Sequence, residues 1–144
     1  AIETNLNVSW DRVERILPVV DLIMCDIKLM DNKKHREWTG VSNKLILDNI
    51  RQLAMNAAPM IIRTPVIPGV NQAEDEIIAI TGYIKENHGN LLYYELLNFN
   101  PLGDVKYKGL ELENPFYEQK SAEKSVIKRL AKVASDQGIT VRIE

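Results

Sequence analysis

Five short apolar runs punctuate the chain, and longer segments of mixed polarity separate them. The runs are AIET (1–4), DLIMCDI (21–27), PMIIRTPVI (59–67), LLYYELL (91–97) and ITVRI (139–143). They are rich in Ile, Val and Tyr and are bounded by turn residues, which is typical of strands buried on both faces. We therefore predict five strands of that buried kind.

The segments between the runs repeat apolar residues every three or four positions, as amphipathic helices do. Four such segments are SWDRVERIL (9–17), SNKLILDNIRQLAMNA (42–57), QAEDEIIAITGYIKENHG (72–89) and SAEKSVIKRLAKVASDQG (121–138). The candidate caps and stops are Ser9, Ser42 or Asn43, Ser121, Gly89 and Gly138, and the second helix carries its apolar face as far as Ala57.

Alternation of strands and helices predicts an α/β fold whose parallel strands are joined by crossovers. We expect a single domain over residues 1–144, built of (β/α) repeats that form an incomplete, TIM-like barrel. A doubly wound sheet is the second possibility, but it would usually carry a Gly-rich phosphate loop after a strand, and the sequence has none. Residues 98–120 are expected to form an extended loop.

The composition and charge of the chain argue against several classes of function. The net charge is −2 with no basic block, which does not suggest binding to nucleic acid or to an anionic membrane. No apolar run approaches the roughly 20 residues needed to span a bilayer. A single cysteine excludes an internal disulfide framework and an all-cysteine metal site within this chain, and it fits a reducing cytoplasm. The opening AIETNLNVSW has no initiator Met or signal peptide, so we expect the chain to be cut from a longer polypeptide.

Polar side chains follow the predicted strands at their carboxyl ends, where parallel α/β folds bind ligands. They are Glu3 and Thr4, Asp26 and Lys28, Arg63, Asn98 and Asn100, and Arg142 and Glu144. The first four of these strands, which are consecutive along the chain, thus bring polar groups to one rim.

Asp26 and Lys28 are the most informative pair. Strand alternation places them on one face with Met24, and it directs Cys25 towards the helices. The pair is either a structural ion pair that closes a strand or part of a binding site. Arg63 lies inside an apolar strand, so its guanidinium needs a hydrogen-bond acceptor. The candidate acceptors are Glu95, Asp26 and a bound ligand.

Other candidate residues have simpler interpretations. Cys25 is predicted to be a small buried hydrophobic residue. His88 lies at a helix C-terminus, where partial positive charge is favourable, and is interpreted as a cap. His35, in DNKKHREWTG (31–40), is expected in a surface loop. The acidic cluster at 74–76 fits the first turn of a helix.

Four ordered blocks resemble a known family. They are VVDLIMCDIKLMD (19–31), His35 with TGVSNKLILDNIRQL (39–53), IIRTPVIPGVN (61–71) and YYELLNFNPLGDVKY (93–107). In this order they resemble the C-terminal two-thirds of glycyl-radical-enzyme activating enzymes, the radical S-adenosylmethionine (SAM) proteins typified by pyruvate formate-lyase activase. The form ELLNFNPLG (95–103) is more similar to activases of dehydratase or decarboxylase partners.

The resemblance implies an incomplete (β/α) barrel and a 4Fe–4S cluster held by a CxxxCxxC motif. An external donor supplies one electron through the cluster. SAM is cleaved to methionine and a 5′-deoxyadenosyl radical, which abstracts a hydrogen from a glycine of the partner glycyl radical enzyme. The sequence contains no CxxxCxxC motif, so no cluster ligand and no catalytic residue is assigned here. We expect the cysteines to lie N-terminal to Ala1 and this chain alone to be inactive.

The resemblance also implies which residues bind SAM. Asp26 and Lys28 match the family's element that holds SAM, and Arg63 matches an arginine of the same site. Asn100 stands where a SAM-contacting histidine often stands.

A monovalent-cation site beside SAM is implied as well. It matches Glu3, Thr4, Asp26 and the main chain of Met24, although the family usually has Asp at the first of these positions.

Two other functions remain open from the residues alone. One is a Schiff-base aldolase with Lys28 as nucleophile, although Asp26 nearby favours the charged ammonium over the nucleophilic amine. The other is a partial barrel that docks a protein without catalysis.

Overall fold

The computed structural model describes residues 1–56, 58–87 and 89–144. One sheet contains five parallel strands: β1 (Ile2–Thr4), β2 (Ile23–Asp26), β3 (Met60–Val66), β4 (Leu91–Asn98) and β5 (Val141–Ile143). The helices are α1 (Trp10–Ile16), α2 (Asn32–Thr39), α3 (Lys44–Ala54), α4 (Glu74–Glu86), α5 (Asp104–Gly109) and α6 (Lys124–Asp136). None of them is long and apolar enough to cross a membrane.

Each strand pairs with the next one along the chain, in the order β1-β2-β3-β4-β5. All four pairings are parallel, and the sheet does not close on itself. The predicted α/β fold of parallel repeats, as an open part of a barrel, is confirmed.

The hydrophobic core lies between the helices and one face of this sheet. Ile62 of β3 and Leu96 of β4 pack there with Ile50 of α3, Ile80 of α4 and Leu130 of α6, and all five side chains are fully buried. Burial of each such side chain contributes about 1.5–3 kcal/mol. This layer holds the strands in place and so positions whatever their carboxyl ends carry.

The opposite face of the sheet is only partly covered. Met24 of β2 and Tyr93 and Leu97 of β4 point to this open face and remain half-buried, while their neighbours Tyr94 and Leu96 are buried. The prediction that the strands are buried on both faces is therefore wrong for this side. Five strands do not close a barrel, so the side chains that would fill its interior keep contact with solvent.

The four predicted helices are present as α1, α3, α4 and α6, with corrections at their ends. Ser9 and Asn43 occupy N-cap positions, but neither makes a side-chain cap hydrogen bond. Ser121 is not a cap, because α6 has Glu123 at that position and the Ser121 hydroxyl donates to the Phe99 carbonyl (2.6 Å). The chain leaves α6 through Gly138, whose φ of +83° favours glycine. The predictions for Ala57 and His88 lie outside the described residues.

Helix α2 was expected to be a loop. Its ends are defined by Asp31, whose carboxylate accepts from the Lys34 amide (2.8 Å), and by Gly40 with a φ of +77°. His35 is buried at 3% exposure, and its Nδ1 donates to the Val41 carbonyl (2.8 Å). The placement of His35 in a surface loop is therefore wrong. This helix is strongly polar, so its caps rather than an apolar repeat define it.

The segment predicted as one extended loop, 98–120, contains α5 and a preceding 3₁₀ turn, Pro101–Gly103. Phe116 anchors it. The Phe116 ring stacks on Trp38 of α2 with centroids 5.7 Å apart and contacts Phe99 at 5.8 Å. This long connection is thereby tied to the rest of the fold near the carboxyl ends of the strands.

Candidate functional site

Four charged side chains meet on the open face, where β1 and β2 end beside the middle of β3. Arg63 lies in register with Asp26 on the neighbouring strand. Its Nη2 is 2.6 Å from Glu3 Oε1 and 3.2 Å from Asp26 Oδ1, and its Nε donates to the same Asp26 oxygen at 3.3 Å. Lys28 Nζ is 3.0 Å from Asp26 Oδ2. We call Glu3, Asp26, Lys28 and Arg63 the charged cluster.

The four side chains of the charged cluster differ in their exposure to solvent. The side chains of Arg63 and Asp26 are 13% and 18% exposed, Lys28 is 37% exposed and Glu3 is 64% exposed. The hydrogen bond from Arg63, reinforced by its charge, holds the pKa of the Glu3 carboxyl below its usual value. The hydrogen bond to Glu3 is also the main cause that raises the pKa of Arg63. Glu3 and Arg63 are therefore both charged at neutral pH, and the cluster contains two acidic and two basic side chains.

The acceptors of Arg63 are Asp26, which was one of the expected candidates, and Glu3. Glu95 occupies the adjacent register position on β4. Within the described parts of the chain, Arg63 Nη1 makes no hydrogen bond, and a guanidinium offers five N–H donors in all. Arg63 can therefore keep its carboxylate partners and still bind a further acceptor.

Asp26 and Lys28 meet as their spacing predicted, although β2 itself ends at Asp26. Cys25, the residue before Asp26 on β2, points into the core and is fully buried. Burial is the main cause that raises the pKa of its thiol to about 12. The thiol is thus protonated at neutral pH, and its burial matches the prediction of a small hydrophobic residue.

A cavity of about 620 Å³ opens at the ends of β3, β4 and β5, and its lining contains none of the four residues of the charged cluster. Pro65 and Leu97, paired in register, form part of its wall, and Pro65 follows Arg63 by two residues on the same face of β3. Asn100 lies at its rim, where its amide oxygen accepts from the Leu102 amide (3.1 Å). This volume is in the range of small-molecule sites.

The residues matched to a cation site are distributed over both faces. Glu3 pairs with Met24 in register, while Thr4 pairs with the buried Cys25. The Thr4 hydroxyl accepts from the Leu6 amide (3.1 Å). In the described residues, no group of three or more His, Cys, Asp or Glu side chains is arranged to hold a metal ion.

The segment after β2 is held by buried polar residues that the sequence patterns do not indicate. Thr64 Oγ1 donates to the Ile27 carbonyl (2.6 Å), and Asn71 Nδ2 donates to the Lys28 carbonyl (2.9 Å). Both residues lie within or directly after apolar stretches. A polar residue that a fold buries must find a partner, and that requirement is the signal that could have indicated them.

Comparisons with known proteins identify relatives of the chain. It is 40% identical over 120 residues to isethionate sulfite-lyase activating enzyme of Nitratidesulfovibrio vulgaris, a match that covers 82% of this chain and 38% of that protein. It is 36% identical over 143 residues to (2S)-3-sulfopropanediol dehydratase activating enzyme of Klebsiella oxytoca (96% and 45%). It is 36% identical over 141 residues to 4-hydroxyphenylacetate decarboxylase activating enzyme of Clostridioides difficile (96% and 44%).

The chain belongs to the family of glycyl-radical-enzyme activating enzymes. It spans less than half the length of these curated relatives. No protein-family profile matches it.

Solved structures agree on the fold. A domain of pyruvate-formate lyase-activating enzyme from Bacteroides vulgatus superposes with a TM-score of 0.81 at 24% identity, covering 99% of this chain and 78% of that one. A radical SAM methyltransferase from Sphaerobacter thermophilus gives 0.74 at 11% identity, covering 99% and 39%. The open parallel sheet of this activating-enzyme chain is therefore shared with radical SAM proteins.

Proposed function

We propose that the protein to which this chain belongs is a radical SAM activase. It binds SAM at the carboxyl ends of the strands, cleaves it reductively and abstracts a hydrogen from a glycine of a partner glycyl radical enzyme. The observation that supports this proposal best is the charged cluster on the open face of the sheet, with Asp26 held between Lys28 and Arg63.

The charges of the cluster fit those of SAM, which carries a carboxylate, an ammonium and a sulfonium. Lys28 and Arg63 supply the cations that a carboxylate needs, and Arg63 adds a planar fork of donors. Asp26 supplies oxygens for the ammonium. Partial burial of Asp26 and Arg63 strengthens these contacts relative to bulk water.

Two further assignments complete the proposed site. Asn100, at the rim of the cavity, offers both a donor and an acceptor to SAM. Glu3, Asp26, Thr4 and the main chain of Met24 are proposed to hold a monovalent cation, since oxygen ligands suit such an ion. Occupation of that site requires Glu3 or Asp26 to share its oxygens with Arg63.

The iron–sulfur cluster does not fit the residues of this chain. Such a cluster needs several cysteine thiolates, and the sequence contains only Cys25. Cys25 is buried and protonated, so it is unsuited to bind iron. We therefore assign the CxxxCxxC segment to another part of the protein, and we propose that residues 1–144 alone are inactive.

When bound, SAM supplies hydrogen-atom abstraction after a one-electron reduction. The residues of this chain bind it and orient it. Because the relatives activate a sulfite-lyase, a dehydratase and a decarboxylase, we propose a glycyl radical enzyme of that kind as partner, with an external electron donor. The Schiff-base alternative is disfavoured because Lys28 Nζ donates to Asp26 Oδ2 at 3.0 Å, an ion pair that a nucleophilic amine would have to leave.

The test uses the complete gene product, reconstituted with iron and sulfide under anaerobic conditions. With SAM and a strong reductant it should form 5′-deoxyadenosine, measured by chromatography. With a matching partner enzyme it should produce a glycine-centred radical, measured by electron paramagnetic resonance. A complete protein that binds iron and SAM but forms neither product contradicts the proposal, and so does one that binds neither.

A further inference from the structure

The four residues that follow β2, 27–30, are held mainly by buried side chains, since only the Ile27 amide continues the backbone bonding to β3 within the described residues, at the Arg63 carbonyl (3.0 Å). Each of their carbonyl groups accepts a side-chain hydrogen bond. Thr64 Oγ1 donates to the first (2.6 Å), Asn71 Nδ2 to the second (2.9 Å), and Asn43 Nδ2 to the third (3.0 Å) and the fourth (2.8 Å). These donors come from three separate places in the chain, so the path of this segment is determined by tertiary contacts.

Among these three donor residues, Asn71 is the one that bonds to Lys28. It is 2% exposed, and its Nδ2 donates to the carbonyls of Lys28 (2.9 Å) and Pro65 (2.8 Å). Its Oδ1 accepts from the Ile67 amide (2.7 Å). One side-chain amide therefore ties the exit of β2 to the exit of β3.

Lys28 depends on this tie because β2 ends two residues before it, at Asp26. The flexible Lys28 side chain must start from a fixed backbone position to reach both Asp26 and a ligand. A long aliphatic side chain on a mobile backbone would lose more conformational entropy on binding. Loss of the Asn71 donors would leave the Lys28 and Pro65 carbonyls without these bonds and release that backbone position.

We propose that Asn71 is a positioning residue that fixes the backbone of Lys28 for ligand binding. Asn71 does not touch the ligand; it acts through the Lys28 carbonyl. The inference rests on the proposed function, in which Lys28 contacts SAM.

The first test measures SAM affinity of the complete, reconstituted protein by calorimetric titration. Asn71→Ala should weaken SAM binding about tenfold. In the background of Lys28→Ala, the same change should have little further effect, because the two residues act through one contact. Asn71→Asp, which keeps the shape and the acceptor but removes the donors, should reproduce the loss and serves if Asn71→Ala folds poorly.

A matched control exists at the opposite end of the strands, near their amino termini. Asn90 Nδ2 also donates to two backbone carbonyls, those of Leu53 (3.0 Å) and Ala58, but before β3 and β4 begin. Asn90→Ala should lower the thermal unfolding temperature and leave SAM affinity unchanged. A loss of affinity common to both variants would show general destabilisation and overturn the inference.

A second measurement needs no ligand. Hydrogen–deuterium exchange of the peptide covering residues 27–31 should accelerate in Asn71→Ala and not in Asn90→Ala. If Lys28→Ala weakens SAM binding while Asn71→Ala and Asn71→Asp do not, the inference fails and the proposed function stands. If the wild-type protein does not bind SAM, the proposed function fails, and the inference fails with it.

Discussion

Arg63 joins the ends of β1 and β2 to the middle of β3. It lies on β3 and contacts Asp26 on β2 and Glu3 on β1. Lys28 extends this chain of alternating charges through Asp26. Since each carboxylate lies beside a cation, no charge in the cluster is left without a partner, and the same arrangement can be shared with a zwitterionic ligand.

Lys28 provides the first prediction. Lys28→Ala removes a cation from the site, so the dissociation constant for SAM in the complete protein should rise by about tenfold or more, measured by calorimetric titration. Lys132 is a matched control, since it forms an ion pair with Asp136 (2.8 Å) on the exposed side of α6. Lys132→Ala should leave the dissociation constant unchanged. If the wild-type protein, Lys28→Ala and Lys132→Ala bound SAM with equal affinity, Lys28 would not belong to the site.

Cys25 provides a prediction about pH. The pKa of its thiol is raised from 9.0 to about 12 in the folded chain, so above pH 9 the unfolded chain releases a proton that the folded chain retains. Stability is therefore full below pH 9 and is lost as pH rises, by up to about 1.4 kcal/mol per pH unit from this group. In Cys25→Ala, the free energy of unfolding in urea should fall less steeply between pH 9 and 11. Tyr94, whose pKa is also raised, contributes equally to both proteins, and the raised pKa of Tyr83 is caused mainly by burial with only a smaller contribution from Cys25. Parallel pH curves would contradict the prediction.

At the scale of elements, the exit of β4 is closed by a reciprocal pair of hydrogen bonds. Asn98 Nδ2 donates to the Ala122 carbonyl and its Oδ1 accepts from the Ala122 amide, both at 2.9 Å. The Ser121 hydroxyl adds a bond to the Phe99 carbonyl. The two ends of the connection between β4 and α6, which borders the cavity, are thereby held together.

Asn98→Ala should therefore loosen residues 99–121. The change leaves the Ala122 amide and carbonyl without these partners, at a cost of about 1–3 kcal/mol in the free energy of unfolding. Trypsin should cleave at Lys106 and Lys108 faster than in the wild-type protein, measured by mass spectrometry. Asn56→Ala is the control, because the exposed Asn56 side chain donates to the nearby Gln52 carbonyl, four residues earlier, and its loss should change neither quantity much. Unaltered cleavage would show that other contacts hold the segment.

The elements that sequence could predict are those whose signal is local. Runs rich in Ile and Val gave all five strands, and apolar periodicity gave four helices. Helix α2 was not predicted because the residue that it buries is His35, which is not part of an apolar repeat. Asn71 escaped because its contact with Lys28 spans 43 residues and depends on the folded path of the chain. The meeting of Asp26 and Lys28 was predictable because two-residue spacing places side chains on one side of a strand.

At the scale of the whole molecule, stability is distributed unevenly across the sheet. β3 has a neighbour on each side, while β1 and β5 have three residues each and one neighbour. The helices cover one face, and the other is half-open. The open face was not predictable from apolar runs, since closure depends on the number of strands rather than on the composition of any one.

Amide exchange should follow this distribution. The amides of Ile62 and Thr64 should exchange slowest, because their release requires the opening of a strand with two neighbours. Those of β1 and β5 should exchange fastest among the strands, since an edge strand separates from one neighbour only. Nuclear magnetic resonance or mass spectrometry can measure the rates. Equal protection of edge and central strands would contradict this order.

The sequential order of the strands has a consequence for protein synthesis. As the nascent chain leaves the ribosome, each new strand finds its pairing partner already made, because that partner is the strand translated just before it. No strand has to wait for a distant segment or insert between two others. The sheet can therefore grow at a single edge during translation, at a pace set by the ribosome, and each unit shields its predecessor from unwanted pairing.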